Sequence, residues 1–501
     1  MLRLTKTDYL IYRECDKNAW FKIHKPDLYF ARPPSKFDLS LLEIGNEIDV
    51  LARDLFPEGV LVEGRDDMEY TRTLIKSHTP IIYQPVFATD IYKTACDIMM
   101  WNDSAQAYDL YEVKASTSGE DKKAKDDLYA YDLAFQYAVL TELSVPINHL
   151  YLIRLDTEYV RGLNLDLEQL FIKEDFTAPV KTILEDVKAG MKNAYDVLSH
   201  GGEPFGSCSC LIKGRSAHCT TFSYSNPDVP AYSVHDITRI GMSKKKLADL
   251  VDTQILSIYD VPDDFELSDI QRSQVTSAQT NTTTIDREAI QDFLNTLVYP
   301  IAFLDYETYP AAIPRFVGYH PFDQIPFQFS LHTLALLGTE PTHSEFITID
   351  PKNPDQSFIL ALQQLLPDSG SIVVWNKRFE MGINDKLAAR NPQAKDFLEQ
   401  LNNRVVDLED VFKKQYFIHP GFKGKTSIKS ILPVLAPTLS YKALDIQEGA
   451  TASDTWNKIV TGEYSAQEAQ EKATQLKTYC ALDTYAMYAI WKYLVVKVGR
   501  A

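Results

Sequence analysis

Short apolar bursts separated by polar turns fill residues 81–115: IIYQPVFAT, IYKTACDIMMW and AYDLYEVKAS. Runs of this length with β-branched and aromatic residues predict strands. Residues 1–60 instead space their apolar side chains as helices do, through Tyr9, Leu10 and Trp20. Thr5 and Asp8 stand three apart ahead of that run, as in a capping box. DDLYAYDLAFQYAVLTE (126–142) repeats Leu128, Leu133, Val139 and Leu140 on one helical face, and HLYLIRL (149–155) returns to a strand. Helix, strands, helix, strand is an α/β order. After residue 200 the pattern changes: GGEPFGSCSC is turn-rich, 230–275 reads as polar helix, and SAQTNTTT (277–284) reads as a linker. A second α/β pattern opens at YPIAFLDYET (299–308), continues through GSIVVWN (370–376) and ends in a helix near 465–497.

The 501 residues suffice for about three domains. Hydrophobic content of 45% and charged content of 24% are those of a soluble globular chain. No stretch is apolar for long enough to span a membrane, and MLRLTKTDYL lacks a secretory h-region. Both favour a cytoplasmic protein with no membrane partner, in which cysteines serve metals or catalysis more often than disulfides. A net charge of −18 excludes a surface generally coated for phosphate. Local basic stretches remain at KKAK (122–125), SKKK (243–246), NKR (376–378) and FKGK (422–425).

Within EVK, Glu112 and Lys114 are two apart on a strand and share a face. Asp97 precedes them by one turn and a strand, so a hairpin brings it to Glu112. Two carboxylates that share Mg2+ or Mn2+, beside an ammonium that balances growing charge on phosphorus, suit phosphodiester hydrolysis. Upstream, Glu47 in EIGNEIDVLA offers a further carboxylate from a helix; downstream, Gln136 and Tyr137 lie on another helix. This order resembles the RecB-like branch of the PD-(D/E)XK nucleases, which includes the CRISPR-associated exonucleases. The resemblance implies catalytic roles for Asp97, Glu112, Lys114 and Gln136, with Glu47 or a neighbour completing the metal site. Tyr137 follows Gln136 directly, where the family spaces its tyrosine four residues on.

Cys208, Cys210 and Cys219 form C-x-C-x8-C in the glycine-rich segment, and Cys15 lies near the start. Four thiolates accept zinc or an iron–sulfur cluster. Members of the same nuclease branch place one cysteine before the core and three after it, around a 4Fe–4S cluster that joins the two ends of the domain. The resemblance implies that cluster here, with Zn2+ as the alternative because C-x-C replaces the usual C-x-x-C. Cys96 and Cys480 are left as packing residues.

In IAFLDYETY, Asp305 and Glu307 share a strand face. Asn376, Phe379 and Glu380 follow at the end of a strand, and Tyr479 and Asp483 lie four apart on a helix. Carboxylates in this number suit a two-metal site. The set resembles the DEDD exonucleases of the DnaQ-like branch of the RNase H fold, in the tyrosine subtype. Glu380 stands where that family has aspartate. Asp407 is a runner-up ligand, or else a helix cap. With SIKSILPVLAP and LSYKALDIQEGA between the later motifs, the whole chain resembles a bacterial family of unknown function that joins the two nuclease types.

The expected architecture is therefore α/β throughout: a restriction-endonuclease-like domain (1–225), a helical connector (226–285) and an RNase H-like domain (286–501). The expected activity is cleavage of nucleic acid, chiefly single-stranded DNA, with 3′–5′ trimming by the second domain. The alternative is a nucleic-acid-binding subunit with one or both sites silent.

Overall fold

The computed structural model describes residues 2–64, 66–117 and 122–499. In the lysine runs, the side chains of residues 122–124 and 244 lie outside the described set. The chain packs as two units, 1–228 with 312–321 and 229–311 with 322–501. Each is mixed α/β. Among the described residues no helix is long and apolar enough to cross a membrane.

The first unit opens with β1 (Leu4–Thr5) and α1 (Lys6–Glu14). The capping box forms as expected: Asp8 N donates to Thr5 Oγ1 at 3.2 Å and Thr5 N to Asp8 Oδ2 at 3.1 Å. Cys15 ends α1 and caps α2 (Asp16–His24). After α3 (Lys36–Arg53) come β2 (Val60–Leu61), β3 (Ile81–Tyr83), β4 (Val86–Ala88), β5 (Tyr92–Ala95), β6 (Ile98–Asn102) and β7 (Ala107–Thr117). Then follow α4 (Lys122–Glu142), β8 (Ile147–Leu155), β9 (Phe171–Asp175) and α5 (Thr177–Ser199). The main sheet has the order β2-β3-β6-β7-β8-β9, and a small sheet the order β1-β5-β4. β6 pairs antiparallel with β7, Ile98 opposite Tyr111. Asp97, one residue earlier, therefore stands opposite Glu112. α1, α4 and α5 share one core, in which Tyr9 stacks on Phe135 with ring centres 5.5 Å apart.

The second unit is built on β11 (Ile301–Pro310), β12 (Gln324–Leu334), β13 (Thr342–Ile347), β14 (Ile372–Val374) and β15 (Val405–Asp407), in the order β13-β12-β11-β14-β15. β12 and β13 run antiparallel to their neighbours; β11, β14 and β15 are mutually parallel. β11 is central and covered on both faces, which is why IAFL is continuously apolar. A two-stranded pair joins β10 (Thr284–Ile285) to β16 (Phe417–Ile418). Of the helices, α6 (Asp269–Thr280), α7 (Lys377–Arg390) and α8 (Ala466–Lys497) matter here. α8 lies along the sheet, with Tyr488 and Trp491 each 5.9 Å from the Phe303 ring.

The stretch expected as a linker is instead the end of α6 and its turn. Ser268 and Gln271 close a capping box, Val275 and Ala278 are buried, and Asn281 ends the helix in the left-handed region at φ 51°. Ser277 Oγ then donates to the Thr282 carbonyl at 2.8 Å. Small polar residues are read as loop by composition, but two buried apolar positions at i and i+3 set the helix face. Of the expected connector, 226–285, residues 229–285 fall in the second unit; Gln415 Nε2 donates to the Ile270 carbonyl at 2.9 Å.

Candidate active sites and a candidate metal centre

The first site lies where β6, β7, α1 and α4 meet. Asp97 Oδ2 accepts from the Val113 amide at 2.8 Å, the bond that the β6–β7 register dictates. Glu112 is almost fully buried. Its Oε1 accepts from Lys114 Nζ at 2.5 Å and from Lys6 Nζ at 2.8 Å, and its Oε2 from Gln136 Nε2 at 2.7 Å. Asp132, four residues before Gln136 on α4, takes the same two ammoniums, Lys114 at 2.6 Å and Lys6 at 2.9 Å. Gln136 Nε2 also donates to Asp132 Oδ1 at 3.0 Å, while its own Oε1 is buried without a hydrogen-bond partner. Burial, then Glu112, pushes the Asp97 carboxyl up to about 7, against the pull of Lys6 and Lys114. Burial would raise Asp132 too, but the Lys114 and Lys6 ammoniums outweigh it and hold that carboxyl well below its usual range.

Asp97, Glu112, Lys114 and Gln136 thus converge as expected, but Glu47 does not join them. Glu47 is exposed on α3, and the α3 carboxylate that faces the site is Asp49. Gln84 Nε2 links the two sides, bonding Asp49 at 3.2 Å and Asp97 Oδ1 at 3.4 Å. Two residues along a helix is a turn of about 200°, so Glu47 and Asp49 point in opposite directions.

The cysteines come together at the far end of α1. The sulfurs of Cys15, Cys208, Cys210 and Cys219 all lie within 4.8 Å of one another, Cys15–Cys219 at 4.0 Å and Cys208–Cys219 at 3.9 Å. Hydrogen bonding with Cys15 first, then with Cys210 and Cys219, holds the Cys208 thiol far below its ordinary range, and Cys15, against the opposing effect of Cys208, brings Cys210 down to about 7. This donor set can bind a metal. A metal–sulfur bond of ~2.3 Å gives a tetrahedron with edges of about 3.8 Å, close to the observed spacing. Cys96, by contrast, is buried in the core of the first unit, as a packing residue is.

The second site lies between β11, α7 and α8. Asp305 and Glu307 point to one face, and Cys480 of α8 reaches them: one donor atom of each lies within 4.8 Å of the others. Cys480 Sγ is 3.7 Å from Asp305 Oδ2. It therefore lines the site and is not a simple packing residue; its position one after Tyr479 turns it toward the sheet. Asp483 Oδ1 accepts from the Tyr441 hydroxyl at 2.6 Å, and Tyr479 lies four residues before Asp483 on the same helix face. Lys429 Nζ lies over the rings of Tyr441 and Tyr479, at 5.4 and 5.5 Å. Glu380, in the first turn of α7, is buried with Oε2 unpartnered. Burial, and after it the neighbouring carboxylates, raise Asp305, Glu307 and Glu380 well above the usual range. Burial brings Asp483 up to about 6, with Tyr441 and Lys429 pulling it back. Asp407 behaves as a cap: its carboxylate accepts from the amides of Asn376 at 3.0 Å, Lys377 at 3.2 Å and Glu409 at 3.1 Å.

Residues 302–427 match the family model described as "Domain of unknown function (DUF2779)". The DUF2779 segment includes Asp305, Glu307, Glu380 and Asp407 and ends before Tyr441, Tyr479 and Asp483. The chain is also similar to the uncharacterized protein MG366 homolog of Mycoplasma pneumoniae, 28% identical over 207 residues, and to uncharacterized protein MG366 of Mycoplasma genitalium, 26% identical over 205. Each match covers 38% of this chain and 31% of the relative, so the chain spans under a third of the length of the curated relatives it matches. No solved structure matches the chain.

Sequence reasoning missed Lys6, Asp132 and Asp49 in the first site, and Tyr441, Cys480 and Lys429 in the second. Asp132 carried a usable signal, since it precedes Gln136 by four residues on an evident helix. Lys6 and Tyr441 carried none, because each reaches its site from a distant segment.

Proposed function

We propose that the chain is a metal-dependent nuclease with two active sites, the first resembling the RecB-like PD-(D/E)XK enzymes and the second the DEDDy exonucleases. The observation that carries this reading is the gathering, in each unit, of buried carboxylates from separate segments around the motif residues. A divalent cation such as Mg2+ or Mn2+, when bound, supplies a Lewis acid for the phosphate and an acidified water. In the first site Asp97 and Glu112 offer its ligands. Lys114 sets an ammonium beside them, where charge grows on the phosphate oxygens, and Gln136 holds Glu112 in place. In the second site Asp305, Glu307 and Asp483 would hold the cation, with Glu380 beside them. The Tyr479 hydroxyl orients the attacking water. The substrate is nucleic acid, foremost single-stranded DNA, trimmed from its 3′ end by the second unit.

The four cysteines hold a structural centre. The family resemblance favours 4Fe–4S and the close sulfur spacing favours a single zinc ion. Iron and zinc analysis of anaerobically purified protein, with the absorbance near about 400 nm that thiolate-bound iron gives, decides between them.

The test of activity uses end-labelled single- and double-stranded DNA and RNA with Mg2+ or Mn2+. Lys114→Ala should remove cleavage by the first unit and Asp305→Ala the 3′ trimming. Tyr479→Phe should slow trimming by about 10²-fold with little effect on binding. A wild-type protein that binds these strands but releases no nucleotides would favour the second reading, a binding subunit with silent sites. Glu380, in place of the family's aspartate, is the observation on that side.

A further inference from the structure

Lys6 has no counterpart in the chemistry described so far. It occupies the first position of α1, where the positive end of the helix dipole disfavours a cation. Nevertheless its ammonium is drawn inward onto Glu112 at 2.8 Å and Asp132 at 2.9 Å. The backbone there is fixed on both sides, by the Thr5–Asp8 capping box and by the pairing of Leu4 and Thr5 with Tyr92 and Lys93. Only the side chain, with 22% of its surface exposed, is free to withdraw.

Glu112 has no spare capacity while Lys6 is there. Oε1 already accepts from two ammoniums and Oε2 from Gln136. Asp49 is already paired with Arg53, which leaves three carboxylates, Asp97, Glu112 and Asp132, facing two lysines. A divalent cation added to that set would tip it to net positive charge among largely buried groups, where like charges repel strongly. One ammonium must leave. Lys114 is anchored on the same strand face as Glu112, two residues away. Lys6 comes from another element and can swing outward without disturbing β7.

We propose that Lys6 is the resident cation of the first site, a positioning residue that competes with the divalent metal for Glu112 and so sets the concentration at which the site loads. The proposal rests on the reading of this site as one that takes a divalent cation.

The test is a Mn2+ titration of the full chain, its cysteine centre intact, in an Asp305→Asn/Glu307→Gln background that silences the second site. Calorimetry and the electron paramagnetic resonance of free Mn2+ both report the dissociation constant without any turnover. Lys6→Met should tighten binding by about tenfold or more. Lys6→Arg, which keeps the charge, should stay near the parent. A residue with a merely structural role would weaken binding or leave it unchanged when removed, and either result with Lys6→Met overturns the proposal. Lys6→Gln carries the same test if Lys6→Met does not fold. Glu112→Gln should abolish this binding event; if it leaves Mn2+ affinity intact, the site takes no cation through Glu112, and the reading of the site falls together with the role of Lys6. If Glu112→Gln abolishes binding but Lys6→Met does not tighten it, only the role of Lys6 falls.

Discussion

The two sites differ in how their charge is balanced. In the first, Glu112 and Asp132 each touch two ammoniums at hydrogen-bond distance. In the second, Asp305, Glu307, Glu380 and Asp483 crowd together and, among the described residues, none is ion-paired; Lys429 sits over the tyrosine rings instead. The first is a finished salt-bridge network that can stand without metal. The second is an unfinished one, in which burial and mutual repulsion push the carboxyls toward their protonated forms. Buried carboxylates near one another either pair, protonate or bind a cation, and the two units have taken different routes.

Removing a charge should therefore act with opposite sign in the two units. The largest effect is expected from Lys114→Met, which leaves Glu112 and Asp132 short of a partner in a buried setting. It should destabilise the first unit by about 3–5 kcal/mol, read from urea dependence of hydrogen exchange in β7 and α4. A loss under about 1 kcal/mol would mean that Lys6 alone can balance the site. Next is Asp305→Asn, which relieves repulsion with Asp483 and Glu307. It should stabilise the metal-free second unit by about 1–2 kcal/mol in β11 and α8 while ending trimming. Destabilisation in the same measurement would break the comparison.

The smallest and most diagnostic effect is in pH. Asp483 is raised to about 6, and Asp305, Glu307 and Glu380 are raised further, so the folded second unit binds protons that the unfolded chain has released. The stability from these groups is full below about pH 4 and fades as pH rises through 6 and above. In the first unit Asp132 works in reverse: its contribution is present above about pH 4 and is lost as pH falls below that. Asp97, raised to about 7, is the exception there. Without divalent ions, the opening free energy of α8 and β11 should fall between pH 5 and 8, and Mg2+ or Mn2+ should restore it. Loss in the acid direction instead would show that the second site is already balanced.

Much of this was legible from the residues. Short apolar runs bounded by polar turns marked β11 and β7, and helical spacing marked α4 and α8. Asp97 and Glu112 could be paired by counting one turn and one strand. What was hidden has a common cause: it depends on approach from another segment. Lys6 balances Glu112 from a helix 106 residues away, and Tyr441 meets Asp483 across 42. Glu47 looked as good as Asp49 because a helix that is polar on several sides does not declare which side faces the sheet. SAQTNTTT misled because its small residues suit both a turn and a closely packed helix end, and only the burial of Val275 and Ala278 distinguishes them.

α1 is nine residues long, with Lys6 at one end in the carboxylate site and Cys15 at the other among sulfurs that arrive as late as Cys219. Cys15 and Cys219 are 204 residues apart in sequence. On a ribosome that adds about 5–20 residues per second, the first helix waits roughly 10–40 s for its last sulfur partner to be made. The helix that ends at Cys15 is made well before the segment that fastens it, so Cys15 waits for Cys219 through the whole of that interval.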